Sequence, residues 1–435
     1  MTEPVSFDGL SAPSPAREIP STFMASLRSW WAAGEKEAAF SEERLLRYLD
    51  YFAHAVSLCS FLSRRLPFFR SGPSISSNSE DGLVIAHSER VPLSKPKHYL
   101  NTLAIKSTTP SPDAPPPAIL LHGYGAGLGF FFLNFPTLAQ WAGIRGTSVY
   151  AIDWLGMGRS ARVPFRIRAK RDDISGRVHE AESFFVESLE EWRENSGLEK
   201  MTLIGHSLGA YFSTVYALRY PQRVHKLVLL SPAGVPRDPD ATIPTKEILE
   251  KQMTGDDEAV EADSARTAAL AQEQQTEKRR VTFGRKLLTH LWEEGWSPFQ
   301  IVRSSLFWGP MLVGKYSSRR FGALNEDETR DMHDYIMNIT LAKGSGEYCI
   351  SHILAPGVHA RMPLVDRVSA LKMPISFVYG EHDWMDFNGG VASIDNLKAA
   401  GNENVRMYIV PRAGHHVYLD NAKAVNKFLL KELNE

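Results

Sequence analysis

Apolar residues in this chain fall in short continuous runs that alternate with amphipathic stretches, and the alternation becomes regular after about residue 118. Ala118–Leu121, Thr147–Ile152, Met201–Ile204, Lys226–Leu230, Ile375–Tyr379 and Val405–Val410 each read as a buried strand. His98–Ile105 is the clearest of several β-like runs before them, and a Pro-rich break at Thr109–Pro117 divides the two regions. Between most of the strands, residues 179–194, 208–220 and 389–400 read as helical stretches. Uninterrupted apolar strands alternating with helices predict an α/β fold: a mostly parallel central sheet flanked by helices, with right-handed crossovers.

The two irregular stretches read differently. Residues 1–20 are rich in Pro, Ser and small residues and are expected to be disordered. Leu27, Trp30 and Trp31 then form one apolar cluster, and Leu45, Leu46, Leu49 and Phe52 recur at three-to-four spacing beside Glu42, Glu43 and Arg47, which predicts two short helices. Trp30 and Trp31 fit either of two roles, anchors at a lipid headgroup boundary or packing onto the rest of the protein. Between about 236 and 370 the alternation breaks again. Residues 252–280 are acidic and rich in Ala and Gln, ending in Lys278, Arg279 and Arg280, with little to build a core from. Aromatic content returns over 281–345, including Trp292, Trp296, Phe299, Phe307 and Trp308, as expected of an inserted helical cap; these rings either line a lipid-sized pocket or pack on the core. The predicted organisation is an N-terminal extension (1–75, disordered then helical), a first core part (76–235), a cap with a mobile acidic insertion near 252–280 (236–370), and a last core part (371–435).

Composition narrows the function. The 435 residues carry 49 basic and 50 acidic side chains, a formal charge of −1, which argues against nonspecific nucleic-acid binding. The only cysteines, Cys59 and Cys349, stand far apart with no CxxC partner, so neither a disulfide framework nor a zinc site is expected, and no metal or cofactor is called for. The longest apolar run, Tyr51–Leu62, is broken by His54, Ser57 and Ser60 and is too short to span a bilayer. The first residues lack both the basic and the apolar segments of a secretory signal and the Arg-rich, acid-poor character of a mitochondrial presequence. The pattern specifies no oligomeric state.

The chemistry lies at strand ends. Gly205-His206-Ser207-Leu208-Gly209 follows the strand Met201–Ile204 and opens a helix, the context in which a serine sits on a tight turn with its hydroxyl exposed as a nucleophile. His122-Gly123-Tyr124-Gly125-Ala126-Gly127 follows the strand Ala118–Leu121, where small residues free a backbone N–H; we assign the oxyanion hole to the N–H of Leu208 and an N–H at Tyr124 or Gly125. Asp383 follows the strand Ile375–Tyr379 and His415 follows Val405–Val410, so nucleophile, acid and base run in the order Ser207, Asp383, His415. Asp386 and His416 are rivals for the last two roles.

Two further patterns each carry two readings. His415 and Asp420 form H-x-x-x-x-D, a spacing associated with glycerolipid acyltransferases, but Asp420 also stands where it would cap the amphipathic helix from Asn421. Arg159, Arg162, Arg166, Arg168, Lys170 and Arg171 come with no acidic residue before Asp172; they would bind lipid phosphates or form a solvated surface.

These motifs resemble the lipid-acting subfamily of the α/β-hydrolase fold. The resemblance rests on Leu120–Gly129 with Asn134-Phe135, on Asp153–Ser160, Phe184–Arg193, Gly205–Gly209 and Leu230–Pro236, and on His415–Asp420. It covers about residues 95 to 435, with 250–280 particular to this chain. The subfamily includes fungal cardiolipin-specific deacylases, lysophosphatidic-acid acyltransferases and animal N-acyl-phospholipid lipases. The resemblance implies a phospholipid substrate, no cofactor and peripheral association with a membrane surface. One non-catalytic lipase coactivator of the subfamily has asparagine where this chain has Ser207, so the serine implies an active enzyme. Tyr379–Asp386 looks most like the fungal deacylase branch, which implies mitochondrial lipid remodelling.

Overall fold

The computed structural model describes residues 15–49, 84–237 and 290–435, apart from Ala323 and Gly357. Among the described residues eight strands form one sheet in the order β1-β2-β4-β3-β5-β6-β7-β8. They are β1 Val84–Pro92, β2 Tyr99–Ser107, β3 Ala118–Leu121, β4 Ser148–Ile152, β5 Met201–His206, β6 Val224–Leu230, β7 Ile375–Gly380 and β8 Val405–Val410. β1 and β2 are antiparallel to their neighbours, and from β4 through β8 every pairing is parallel. Parallel strands need crossovers, and the crossovers are helices that bury both faces of the sheet.

β3 shows how that burial is divided. Its four residues are all buried, with Ile119 and Leu121 facing one core and Ala118 and Leu120 facing the other. α4 (Ile174–Asn195) and α5 (Leu208–Arg219) pack into the first core through Phe185, Leu189, Trp192, Phe212 and Tyr216. The second core takes α3 (Phe135–Arg145) through Leu138 and Trp141, and the last helix, Ala422–Asn434, through Val425 and Leu429. Asn388–Ala399, between β7 and β8, contributes Ile394 and Leu397 to the first core.

Two N-terminal helices are present, α1 Phe23–Ala32, capped by Thr22, and α2 Glu35–Leu46, the second of which holds Leu45 and Leu46 but ends before Leu49. α2 buries Leu45 and Leu46 in the second core and the turn after it buries Leu49, so this part of the extension is built into the protein. The tryptophan pair splits its roles: Trp30 is half-buried, whereas Trp31 is 81% exposed. Tyr51–Leu62, Phe52 and the acidic stretch 252–280 lie outside the described residues. Among the described residues the cap includes α6 Pro298–Ser304, α7 Gly309–Arg320 and α8 Glu326–Leu341. α8 begins with a reciprocal cap between Asn325 and Glu328 and packs Met332 and Tyr335 with α2 against the turn Leu128–Phe131. Among the described residues no helix is long and apolar enough to cross a membrane, and no cluster of His, Cys, Asp or Glu could hold a metal ion.

Candidate active site

Ser207 stands between β5 and α5 with φ 52° and ψ −117°, a strained conformation for a side chain other than glycine. Its flanking glycines explain how the turn forms. A Cβ on Gly209 would come within 2.3 Å of the Leu121 carbonyl oxygen, and one on Gly205 within 2.6 Å of the Gly209 carbonyl oxygen. The helix therefore starts hard against the end of β3, and the N-terminus of α5 faces the serine.

The three residues chosen from strand ends meet. Ser207 Oγ lies 2.9 Å from His415 Nε2, and His415 Nδ1 lies 3.0 Å from Asp383 Oδ1. With the proton on Nδ1, the imidazole donates to the carboxylate and accepts from the hydroxyl, the tautomer a general base requires. Both rivals are engaged elsewhere. Asp386 accepts hydrogen bonds from the backbone and side-chain nitrogens of Asn388 at 2.9 and 2.8 Å, at the start of the helix after β7. His416 accepts at Nδ1 from Arg320 Nε at 3.1 Å and stacks on Phe130. Burial, with the positive surroundings of His206 and Arg320 adding to it, holds the His416 imidazole well below its ordinary pKa.

The oxyanion candidates are close by. A Cβ on Gly123 would stand 2.9 Å from Ser207 Cβ, which places the turn carrying Tyr124 and Gly125 directly over the serine. Gly125 has φ +74°, and Phe299 of α6 occupies the space a side chain there would need, 2.5 Å from the position of its Cβ. The Phe299 ring also lies 5.2 Å from that of Tyr124. The cap thus covers the turn with an aromatic side chain.

Asp420 does not cap the last helix; Asn421 does, accepting from Ala424 N at 3.2 Å. The two neighbours are equally good capping residues, and the chain enters the helix one residue later than the sequence reading placed it. Asp420 Oδ2 instead accepts from the backbone N–H of Gly414 at 2.9 Å, and Oδ1 pairs with Arg320 of α7 at 2.9 Å. It ties the loop before His415 to the cap.

The basic run divides as well. Arg159 is buried and paired with Glu42 at 2.5 Å, and Arg162 donates to the carbonyls of Gly156, Gly158, Ile339 and Lys343. Both guanidinium groups are turned inward, Arg159 onto a carboxylate and Arg162 onto backbone carbonyls, and are not presented to a headgroup. Arg166, Arg168 and Lys170 are exposed, on an extended segment whose alternate residues Val163, Phe165 and Ile167 pack inward.

Three neighbours of the site carried no sequence signal of their own. His206, a variable position of the serine turn, bonds through Nε2 to the His415 carbonyl at 3.0 Å. Arg320 lies in the cap, far away in sequence. Trp384, 57% exposed, places its ring 5.0 Å from that of His415 at the mouth of the site.

Residues 116–422 match the family model described as the alpha/beta hydrolase fold. The chain belongs to the α/β-hydrolase fold family. Within that family its relatives fall in the lipid-acting subfamily. It is 35% identical to a 1-acylglycerol-3-phosphate O-acyltransferase of Arabidopsis thaliana over 334 residues, 75% of this chain and 68% of the relative. It is 29% identical to the (lyso)-N-acylphosphatidylethanolamine lipase of Homo sapiens over 332 residues, 75% of this chain and 81% of the relative. Among solved structures it is similar to a carboxylesterase of Bacillus subtilis, at 16% identity and TM-score 0.44, covering 80% of this chain and 90% of that one.

Proposed function

We propose that this chain is a serine-dependent acyl-ester hydrolase of phospholipids, a phospholipase A-type deacylase. The observation that carries the reading is the unbroken relay Ser207 Oγ, His415, Asp383, at 2.9 and 3.0 Å. Ser207 attacks the acyl carbonyl while His415 Nε2 takes its proton. The N–H groups of Leu208 and of Tyr124 or Gly125 receive the oxyanion. His415 then returns the proton to the departing lysolipid oxygen, leaving the acyl group on Ser207. Water attacks that ester, gives its proton to His415, and the fatty acid leaves as Ser207 is reprotonated. Asp383 accepts from Nδ1 throughout. The mechanism needs no cofactor.

A lipid-surface substrate fits the exterior. Trp308, at the N-cap of α7, and Leu312 and Tyr316 within it recur every four residues and are exposed beside Lys315 and Arg319, and residues 297–320 contain no Asp or Glu. Phe23 of α1 packs on Trp308, and Met24 and Trp31 extend the apolar exposure along α1. An apolar face with a cationic edge suits the surface of an anionic bilayer. Cardiolipin in mitochondrial membranes is the substrate and place to try first, on the resemblance of Tyr379–Asp386 to the deacylase branch.

A second reading is acyl-CoA-dependent acylation of lysophosphatidic acid, favoured by the acyltransferase name of the Arabidopsis relative. A third is a lipase-binding scaffold without chemistry. Purified wild type, Ser207→Ala and Asp420→Ala offered cardiolipin, phosphatidylcholine, and lysophosphatidic acid with acyl-CoA separate the three. Fatty-acid release that is lost in Ser207→Ala is expected. Release that survives that change refutes the relay, and acyl transfer that needs Asp420 but not Ser207 favours the second reading. Vesicle binding with no activity in any variant favours the third. Neutralising Arg166 and Arg168 is expected to weaken binding to cardiolipin vesicles; unchanged binding ends their headgroup role.

A further inference from the structure

The N-terminal helix α2 buries a carboxylate in the network behind the oxyanion turn. Glu42 is fully buried and accepts from Asn101 Nδ2 at 3.2 and 3.0 Å and from the Arg159 guanidinium at 2.5 Å. Asn101 Nδ2 and the Arg159 backbone N–H both donate to Asp153 Oδ2 at 2.8 Å. The other oxygen, Asp153 Oδ1, accepts from the backbone N–H of Leu128 at 2.7 Å. Leu128 ends the turn whose other end, Gly123, lies against Ser207. Tyr124 and Gly125 are therefore held between a contact with the nucleophile and a hydrogen bond to Asp153.

The chemistry of the network explains why Glu42 matters to it. Two fully buried carboxylates, Glu42 and Asp153, share the Asn101 amide and both bond Arg159, Glu42 through the guanidinium and Asp153 through the backbone N–H. Burial pushes the Glu42 carboxyl well above its ordinary range, and the charge of Arg159 opposes that rise. Without Glu42, the Arg159 guanidinium loses its carboxylate and Asn101 loses one of its two acceptors in a dry site, and their geometry about Asp153 must readjust. The same helix touches the turn directly: Leu45 Cδ1 stands 2.9 Å from where a Cβ on Gly129 would lie. Glu42 itself lies outside residues 116–422, which match the family model.

We propose that Glu42 is a positioning residue for the oxyanion turn, acting through Asn101, Arg159 and Asp153; its catalytic consequence rests on the ester-hydrolase reading above. The N-terminal helix would then be part of the catalytic apparatus, although no atom of it touches the reacting groups.

The test compares Glu42→Ala and Glu42→Gln with Glu43→Ala, whose side chain pairs with Arg47 on the same helix. Hydrogen exchange over residues 123–131 is expected to accelerate in both Glu42 variants and to match wild type in Glu43→Ala. Titration of Ser207 with a fluorophosphonate counts competent sites, so that turnover is expressed per site and a loss of folded protein does not register. Per-site kcat is expected to fall roughly ten- to a hundredfold in Glu42→Ala, with KM within about twofold of wild type. Gln keeps one acceptor and should fall less; it also serves if the alanine variant does not fold. Unchanged exchange over 123–131 in the Glu42 variants overturns the proposal, as does faster exchange with per-site kcat unaltered. A wild type inert to both esters and fluorophosphonate, with exchange still dependent on Glu42, overturns the hydrolase reading and with it the catalytic role, but leaves the mechanical link standing.

Discussion

Replacing Asp420 with alanine distinguishes two explanations of the H-x-x-x-x-D spacing. In the structure its carboxylate makes two bonds of 2.9 Å, to Gly414 N and to Arg320, and the two side chains of the pair are 17% and 23% exposed. A hydrogen bond to an ionised, largely buried acceptor is worth about 1.5–3 kcal/mol. Losing the Gly414 contact and leaving Arg320 half-paired should therefore cost about 3 kcal/mol of stability, read as a lower urea midpoint with unchanged slope. Gly414 immediately precedes the base. If about 1.4 kcal/mol of that contact holds His415 in line with Ser207, kcat for ester hydrolysis falls about tenfold while KM stays put. An asparagine in its place would keep an acceptor for Gly414 but turn its amide toward Arg320, so Asp420→Asn should recover most of the turnover and little of the stability. Fatty-acid release and acyl-CoA-dependent transfer are measured side by side on the same preparations. A bracing role lowers both in proportion. Hydrolysis within about twofold of wild type, with transfer alone abolished, would refute this reasoning and make Asp420 a direct participant in acyl transfer.

Three further outcomes follow from the geometry. Gly209→Ala would drive a Cβ to 2.3 and 2.5 Å from the carbonyl oxygens of Leu121 and His122, so about 3 kcal/mol or more of destabilisation is expected, with loss of Ser207 labelling by fluorophosphonate; a stable, labelled variant would contradict the packing of the turn. Phe299→Ala removes the ring against Tyr124 and Gly125 and should raise kcat/KM for short soluble esters, and an unchanged value would mean that the ring already lies clear of the substrate path. The third concerns pH. Burial lowers His333 from 6.5 to about 4, so the unfolded chain binds the extra proton between those values and stability contributed by His333 is present above pH 6.5 and lost as pH falls toward 4. Replacing it with Asn should flatten the pH dependence of the unfolding free energy, measured by urea titration, across that window by up to about 1.4 kcal/mol per pH unit, and an unaltered slope would show that His333 titrates normally. Glu42, raised to about 7, acts in the opposite sense between 4.5 and 7, so only the difference between variant and wild type is diagnostic.

What could be read from the sequence depended on how local its cause was. β3 and β8 begin and end at the predicted residues, because an apolar run buried in a parallel sheet stops where the chain must turn. Ser207 was legible for the same reason: the glycines, the strand before and the helix after are all neighbours of the serine. Choosing Asp383 over Asp386 and His415 over His416 rested on nearness to the strand end and on the preceding glycine, with both rivals left open. The structure shows what local sequence could not, Asn388 engaging Asp386 and Arg320 engaging His416. Arg159 and Arg162 read as a surface charge run because their partners, Glu42 and the carbonyls of Ile339 and Lys343, lie more than a hundred residues away. Asp420 misled by one position, where two good capping residues stand side by side.

The insertion of the cap between β6 and β7 divides the relay in time as well as in sequence. The proposed nucleophile is made first, after β5, while the acid and base follow β7 and β8. During synthesis the serine turn can form against β3 long before an imidazole exists to take its proton. A nascent chain that has made the cap but not β8 therefore lacks the base of the proposed relay. The proposed relay is complete only when β8 pairs with β7 and brings His415 to Asp383.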